Sequence, residues 1–295
     1  ELRSIEGLEL RRLDPARLLG GIRSENLGLD DIYGQLTQPA GRANVLRAAI
    51  LRSEGGIYLD MDTITVAELG PLAQQAGAFV GLEHIALPHA VRASKNPFVW
   101  AAAVGRRGVR DAFRRLPHGW RGFRRIERFY PAAANNAVLA SAPEHPLLVR
   151  LTQAMLELDE ATRLRRFALG THLLQRVLAV GTESDVRQLD ARYFYPLGPE
   201  ISEHWFRMTE RAPAVDEVLF PETLVVHWYA SVRTANVVPL IDRAYVEQNA
   251  GRQLFSALAL RVLRADAGPA GGAASSGAAA ASPSGGAASP SGGAA

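Results

Sequence analysis

Asp60 and Asp62 stand two residues apart, directly after the short apolar run at residues 57–59. If that run is a strand, its alternation places both carboxylates on one face and turns Met61 back toward the core. Carboxylate oxygens are the hard ligands that Mg²⁺ or Mn²⁺ prefers, and such an ion can neutralise a departing diphosphate. The alternative is a pair of solvated acids at a strand end. The apolar run before the pair favours a metal site.

The element expected to feed this strand is a helix over residues 42–54, with a packed stripe formed by Leu46, Ala49, Ile50 and Ser53. Gly55-Gly56 follow it, as is common at the carboxyl end of helices.

Asn44 and Arg47 lie three residues apart on the same helix and therefore share a face. A guanidinium near the two acids could hold sugar hydroxyls or phosphate through its fork of donors. The alternative for Arg47 is an ordinary exposed arginine.

Three further side chains could complete a site. Asn135 and Asn136 precede a short apolar run, where their amides could bind sugar hydroxyls, although asparagine is also common in turns. His227 ends another apolar run, with Ser231 four residues later. A neutral imidazole is a good third ligand for a cation already held by carboxylates. Packing beside Trp228 is the alternative for His227.

An arginine-dense segment begins at Arg106 and ends at Arg128, with aromatic residues interleaved. It could contact an anionic membrane surface, a phosphorylated lipid carrier or nucleic acid. A solvated helical face, exaggerated by coding bias, is the favoured alternative, since Lys95 is the only lysine in the chain. We expect no nucleic-acid partner and keep peripheral membrane contact as an option for this segment.

The chain has 295 residues, of which 47% are hydrophobic and 21% charged, as in ordinary globular proteins. The absence of cysteine excludes disulfides, thiolate metal sites and cysteine nucleophiles. No apolar run approaches the roughly 20 residues of a membrane-spanning helix, and no signal peptide is visible, so we expect a cytoplasmic protein with membrane association as an option.

Short strands and helices alternate along residues 1–265, which predicts one α/β catalytic domain, and residues 266–295 form an Ala/Gly/Ser/Pro tail expected to be disordered. Strands are expected at residues 8–13, 57–59, 78–82, 136–139, 193–195 and 224–227. Helices are expected at residues 42–54, 146–158, 163–180 and 244–264.

The segments Arg42-Ala-Asn-Val-Leu-Arg47 and Gly55-Gly-Ile-Tyr-Leu-Asp-Met-Asp62 resemble the sugar-binding region of DXD-motif glycosyltransferases. That group, similar to glycosyltransferase family 32, includes the initiating α-mannosyltransferases and the large glucosylating toxins. The resemblance implies a GT-A-type, Rossmann-like fold with a mixed central sheet. It also implies transfer of a hexose from a UDP- or GDP-sugar to a hydroxyl of a glycan, lipid-linked or protein acceptor, with retention of configuration.

Carried over by position, Asp62 would ligate Mn²⁺ or Mg²⁺, and Asp60 would contact ribose, sugar or metal. The catalytic set would then be Asp60, Asp62 and Arg47, with Arg47 holding the donor sugar. Tyr58 would line the pocket. Asn135 or Asn136 would meet the sugar, and His227 with Ser231 would lie near the metal and diphosphate.

Three positions depart from the family pattern. Asn44 replaces an aspartate, and Val232 replaces a tryptophan after Ser231. No counterpart of the family's first strand precedes Leu8, so we expect a fold without that strand.

Two other functions stay open. Asp60-Met61-Asp62-Thr63 also resembles the Asp-x-Asp motif of a haloacid-dehalogenase-type phosphatase, with one aspartate as nucleophile and the other as general acid. That chemistry needs a downstream lysine, for which Lys95 is available, and a later acidic pair, but no Asp-Asp or Asp-x-x-x-Asp follows Lys95. A truncated, non-catalytic nucleotide-sugar-binding scaffold is the non-enzyme alternative.

Overall fold

The computed structural model describes residues 7–75, 77–165, 168–181, 186–232, 234 and 236–266. Its strands are β1 (Gly56–Leu59), β2 (Thr63–Thr65), β3 (Ala78–His84), β4 (Ala132–Ser141), β5 (Val186–Leu189) and β6 (Val225–His227). Its α-helices are α1 (Pro15–Leu19), α2 (Leu29–Gln35), α3 (Pro39–Glu54), α4 (Gly70–Gln75), α5 (His89–Ala93), α6 (Pro97–Arg115), α7 (Gly119–Ile126), α8 (Pro146–Glu157), α9 (Glu160–Arg163), α10 (Thr171–Val180), α11 (Val215–Val218), α12 (Arg243–Asn249) and α13 (Leu254–Asp266).

The central sheet has four strands in the order β1-β4-β3-β5. Strand β4 runs antiparallel to both β1 and β3, whereas β5 runs parallel to β3. Strands β1 and β3 therefore end at the same edge of the sheet. A separate two-stranded antiparallel sheet pairs β2 with β6. This mixed α/β architecture agrees with the expected fold class and is compatible with a GT-A-type fold.

The two faces of the central sheet bury different clusters. Val80 and Leu139 point into a cluster that the sheet shares with α1, α2, α3, α8 and α10. Phe79 and Ala140 point to the opposite face, where they pack with Tyr195. A third cluster around Trp205 joins α7 to the C-terminal helices. The acids at the end of β1 thus rest on a sheet that is packed on both faces.

The passage from α3 into β1 depends on glycine. Gly55 has φ +69°, and its amide donates to the Leu51 carbonyl oxygen at 3.0 Å, which ends the helix. A Cβ on Gly55 would lie 2.6 Å from Cδ of Pro143. Only glycine meets both conditions without strain, because this φ is unfavourable for other residues.

Most of the expected elements near the site are confirmed. The helix at residues 42–54 is the larger part of α3, and the runs at residues 57–59, 78–82, 136–139 and 224–227 fall on β1, β3, β4 and β6. The helix expected at residues 146–158 is α8.

Four expectations are wrong. Residues 8–13 form exposed chain without a strand, so alternation there does not reflect a buried face. Residues 193–195 form no strand, because Tyr193 ends a 3₁₀ turn and the next two residues follow it. The helix expected at residues 163–180 is two helices, α9 and α10, and that at residues 244–264 is α12 and α13, separated near Gly251.

The packed stripe of α3 also differs from the expectation. Of the expected stripe, Ala49 is buried, Leu46 and Ile50 are half-buried and Ser53 is exposed. Val45, Ala48 and Leu51 are buried as well. The buried face is rotated because α3 packs against both β1 and α8 and also buries Arg47.

Among the described residues, no helix is long and apolar enough to cross a membrane. The expected tail lies almost wholly outside the described residues, and the division at residue 265 stays a prediction.

Candidate functional site

Asp60 leaves β1 at the sheet edge and begins a turn. Its amide donates to the Ala137 carbonyl oxygen at 2.8 Å, which extends the pairing of β1 with β4 by one residue. Thr63 Oγ1 closes the turn on the Asp60 carbonyl oxygen at 2.8 Å. Met61 at the tip is fully exposed rather than turned to the core, because the two acids sit in a turn and not in a continuing strand.

Arg47 fixes the Asp60 carboxylate. Its Nη2 lies 2.6 Å from Asp60 Oδ1, and its Nη1 donates to the Asn136 carbonyl oxygen at 2.5 Å. The Tyr58 hydroxyl donates to the same Oδ1 at 2.9 Å, and the guanidinium lies 4.1 Å from the Tyr58 ring centre. Arg47 is only 6% exposed. The predicted sugar-binding arginine is therefore a buried residue that orients Asp60.

Asp62 is held by the last residue of β6 and by the segment that follows it. Thr63 pairs with His227 in the β2–β6 ladder, which places the His227 ring opposite the acid. His227 Nε2 lies 3.0 Å from Asp62 Oδ1, and the Ala230 amide donates to Oδ2 at 2.8 Å. Burial alone would raise the pKa of Asp62, but the hydrogen bonds from His227 and Ala230 outweigh it and lower the pKa.

Asp60, Asp62 and His227 converge on one point. One ligand atom from each lies within 4.8 Å of the other two. Two carboxylate oxygens and an imidazole nitrogen at this spacing suit a divalent cation that binds oxygen ligands and accepts imidazole, as Mn²⁺ does. The sequence-predicted ligands therefore do come together, and their chemistry fits the predicted metal.

A buried acid lies behind His227. Glu83 on β3 accepts hydrogen bonds from Asn135 Nδ2 at 2.6 Å and from the Tyr229 hydroxyl at 2.9 Å. Burial raises the pKa of Glu83, which favours its neutral form. The centres of the Tyr229 and His227 rings lie 4.1 Å apart. Glu83 and Tyr229 therefore support the imidazole from the core side.

The two adjacent asparagines have different environments. Asn135 is buried and bonded to Glu83 and to the Ala137 amide. Asn136 donates to Asn44 Oδ1 at 2.9 Å and accepts from Thr171 Oγ1 at 3.2 Å. Of the two, Asn136 is therefore the one that reaches the Asn44 side of the site.

Asn44 and Ser231 line one cavity of about 400 Å³. Ser231 directly follows Ala230, whose amide binds Asp62. Arg163 lines the same cavity, and its Nε and Nη1 are buried without a hydrogen bond to the described residues. The cavity thus combines amide, hydroxyl and guanidinium groups beside the acid cluster.

The expectation of a solvated helical face for the arginine-dense segment is wrong for Arg110 and Arg114. Arg110 Nη1 lies 2.6 Å from Glu200 Oε2, and Arg114 Nε lies 2.9 Å from Glu203 Oε1. Both arginines are mostly buried, so this part of the segment ties α6 to the chain around the 3₁₀ turn at Ser202–Trp205.

Glu83, Tyr229, Thr171 and Arg163 were not found from the sequence. Each reaches the site through long-range packing, and none stands in a motif or at a spacing that signals chemistry.

Residues 18–78 match the family described as glycosyltransferase sugar-binding region containing DXD motif. The matched segment runs from α1 to the start of β3 and contains Arg47, Asp60 and Asp62. This match confirms the resemblance to DXD-motif glycosyltransferases. Among curated proteins, none matches the chain.

Proposed function

We propose that this protein is a metal-dependent retaining glycosyltransferase that moves a hexose from a UDP- or GDP-sugar to a hydroxyl acceptor. The observation that carries the proposal is the convergence of Asp60, Asp62 and His227 within 4.8 Å at the carboxyl edge of the sheet. The family match at residues 18–78 supports it independently.

In this proposal Asp60, Asp62 and His227 hold Mn²⁺ or Mg²⁺. The bound ion would supply positive charge for the leaving diphosphate. Arg47 and Tyr58 hold Asp60 in one orientation, and the Ala230 amide does the same for Asp62. Such fixed ligands need little reorganisation when charge develops, which is how electrostatic stabilisation accelerates a reaction.

The cavity beside the cluster is the proposed donor pocket. Asn44 and Asn136 form an amide pair that can bind sugar hydroxyls. Ser231 lines the cavity next to Ala230, whose amide binds Asp62. The unpartnered nitrogens of Arg163 suit a phosphate oxygen. Asn44, where the family has aspartate, contributes a neutral group, so the donor is bound here by amides rather than by a second carboxylate.

The nearby acids leave no free carboxylate to act as a nucleophile, which agrees with retention of the sugar's anomeric configuration without a covalent enzyme intermediate. Asp60 and Asp62 are assigned to the metal, and Glu83 is fully buried with a raised pKa. The proposed reaction therefore relies on charge stabilisation and on positioning of the acceptor hydroxyl.

Donor hydrolysis tests this proposal. Purified protein with Mn²⁺ is given UDP-glucose, UDP-galactose, UDP-N-acetylglucosamine and GDP-mannose, and free nucleotide is measured. We expect turnover of one donor, its loss on chelation, and its loss in Asp62→Asn. Asp216→Asn changes an exposed aspartate on α11 and should leave turnover unchanged. Chelator-resistant turnover, or full activity of Asp62→Asn, contradicts the proposal.

The same preparation separates the two alternatives. An aryl phosphate would be hydrolysed by a phosphatase and not by a glycosyltransferase. A binding scaffold would show a metal-dependent thermal shift with UDP or GDP but no hydrolysis of any donor.

Peripheral membrane contact through the segment from Arg106 to Arg128 remains part of the proposal. Phe98 and Val104 of α6 are exposed apolar side chains beside this segment. Sedimentation with vesicles of neutral or anionic lipid tests it, and equal partitioning with both contradicts a charge-driven contact.

A further inference from the structure

A second cavity, of about 420 Å³, lies beyond the carboxyl end of β3. We call it the arginine cavity, and its charged lining consists of Arg124, Arg125, Glu127, Arg128, Asp190 and Arg192. Tyr195 forms part of its wall, and the same ring meets the His227 ring edge-on at 5.9 Å between centres. One aromatic side chain therefore separates this cavity from the proposed metal ligand.

The positive charges of the cavity are poorly balanced by the protein. Arg124 lies 3.8 Å from the centre of the Phe220 ring and donates from Nη1 to the Glu217 carbonyl oxygen at 2.8 Å. Its Nε and Nη2 make no hydrogen bond to the described residues. The Arg192 guanidinium lies 5.3 Å from the centre of the Phe220 ring, and its ion pair with Asp190 is long, at 3.7 Å, with both side chains 58% exposed. Burial lowers the pKa of Arg124, and repulsion from Arg192 adds to the effect.

The other two arginines of the cavity contrast with those earlier in the same segment. Arg110 and Arg114 have carboxylate partners below 3 Å. Arg125 and Arg128 have no ion pair within the part of the chain that the structure describes. Unpaired guanidiniums gathered around a concave site attract an anion, because the low-dielectric walls focus their field.

Glu127 supplies a further polar group to the lining of the cavity. Its Oε1 is buried and has no hydrogen-bond partner among the described residues. Burial raises the pKa of Glu127 to about 7, so near neutral pH a large fraction carries a proton. A neutral carboxylic acid can donate a hydrogen bond to an anionic oxygen, which an ionised one cannot.

We propose that the arginine cavity binds a phosphate group and that this phosphate is carried by the acceptor; the second half rests on the proposed function. Guanidiniums from two separate elements, α7 with the turn after it and the 3₁₀ turn at Ala191–Tyr193, line this cavity. Several guanidiniums in one cavity suit the oxygens of a phosphate better than those of a single carboxylate, because one guanidinium alone can satisfy a carboxylate. The volume leaves room for a sugar-sized group beside the phosphate.

Isothermal titration with glycerol 3-phosphate, without metal or nucleotide, tests the binding half. We expect saturable binding by the wild type, none of glycerol, and roughly tenfold weaker binding by Arg192→Gln. Arg192 is exposed, so this variant should fold normally. Arg243→Gln removes an exposed arginine on α12 and should bind as the wild type does. Binding that is insensitive to Arg192, or no binding, overturns the proposal.

Asp62→Asn distinguishes this site from the metal centre. It should keep full affinity for glycerol 3-phosphate, and a loss of binding in that variant would place the phosphate at the metal centre and overturn the assignment. Vesicles containing phosphatidic acid identify the source of the phosphate. Arg192-dependent sedimentation indicates a lipid phosphate, whereas binding of glycerol 3-phosphate alone indicates a soluble one.

Transfer assays test the acceptor half with a hexose and its phosphate ester as acceptors. We expect a lower KM for the phosphate ester, raised roughly tenfold in Arg192→Gln with little change in kcat. Equal KM values for the two acceptors overturn the acceptor assignment. No transfer to either acceptor, with phosphate binding intact, would refute the proposed function and leave the phosphate site standing.

Discussion

Glu127→Gln should change how the stability of the protein depends on pH. Glu127 is buried beside Arg124, and burial raises its pKa from 4.5 to about 7 even though the arginine opposes the shift. The folded state therefore binds the Glu127 proton more tightly than the unfolded chain does. The tighter proton binding stabilises the folded state. This stabilisation is fully present below the unfolded pKa and is lost as the pH rises through 7, because ionising Glu127 costs more in the folded state than in the unfolded chain.

The size of the effect follows from the two pKa values. Each pH unit between them is worth ~1.36 kcal/mol, so the full penalty at high pH is about 3 kcal/mol. At pH 5 the penalty is only about 0.8 kcal/mol, because this pH lies only about half a unit above the unfolded pKa of 4.5. Replacing the carboxyl by a neutral amide should therefore stabilise the protein by about 2.5 kcal/mol more at pH 8 than at pH 5.

Urea unfolding of both proteins at pH 5 and pH 8 measures this difference. The comparison has to be between variant and wild type, because burial lowers the pKa of His204 to about 4 and weakens the protein toward acid pH in both. Glu25→Gln changes an exposed glutamate and should leave the free energy of unfolding unchanged at both pH values. A Glu127→Gln difference that is the same at both pH values would refute the assigned burial penalty.

Three further substitutions test the structural support of the site. Gly55→Ala should destabilise the protein by roughly 1–3 kcal/mol in urea unfolding, because of its positive φ and the contact with Pro143, whereas Gly21→Ala, with open space around it, should not. Arg47→Gln should cost roughly 1.5–3 kcal/mol in the same assay and lower donor turnover, since Asp60 loses its charged partner. Leu148→Ala should cost about 2–5 kcal/mol in thermal or urea unfolding with unchanged metal affinity, because Leu148 is fully buried away from the site.

The segment from α3 to Asp62 could be predicted from the sequence because its signals are local. A helix followed by two glycines, an apolar run and two acids specifies helix, turn and strand in a fixed order. The first of the two glycines is required for that order, because Gly55 has a positive φ and a Cβ there would lie 2.6 Å from Pro143 Cδ.

Long-range features could not be predicted in the same way. The burial of Arg47 results from an ion pair with Asp60 and a hydrogen bond to the Asn136 carbonyl oxygen, which are 13 and 89 residues away. The exposed position of Met61 follows from the turn into β2, and β2 exists because it pairs with β6 near the other end of the described chain. Alternation within a strand gives no information about where a strand stops.

At residues 8–13 the sequence predicts a strand that the structure does not form. Their alternating pattern resembles that of a half-buried strand, yet the segment lies exposed and forms no strand pairing within the described residues. Leu8, Leu10 and Leu13 each remain more than 40% exposed. Periodicity predicts a strand only when a neighbouring strand is available to pair with it.

Manganese binding tests the central claim most directly. Mn²⁺ is titrated into the protein in the presence of UDP or GDP, and free ion is followed by its paramagnetic resonance signal. The convergence of Asp60, Asp62 and His227 predicts one site whose affinity falls at least about tenfold in Asp62→Asn and is unchanged in Asp216→Asn. Equal Mn²⁺ affinity in the wild type and Asp62→Asn, or no binding in either, would contradict a metal centre at this edge of the sheet.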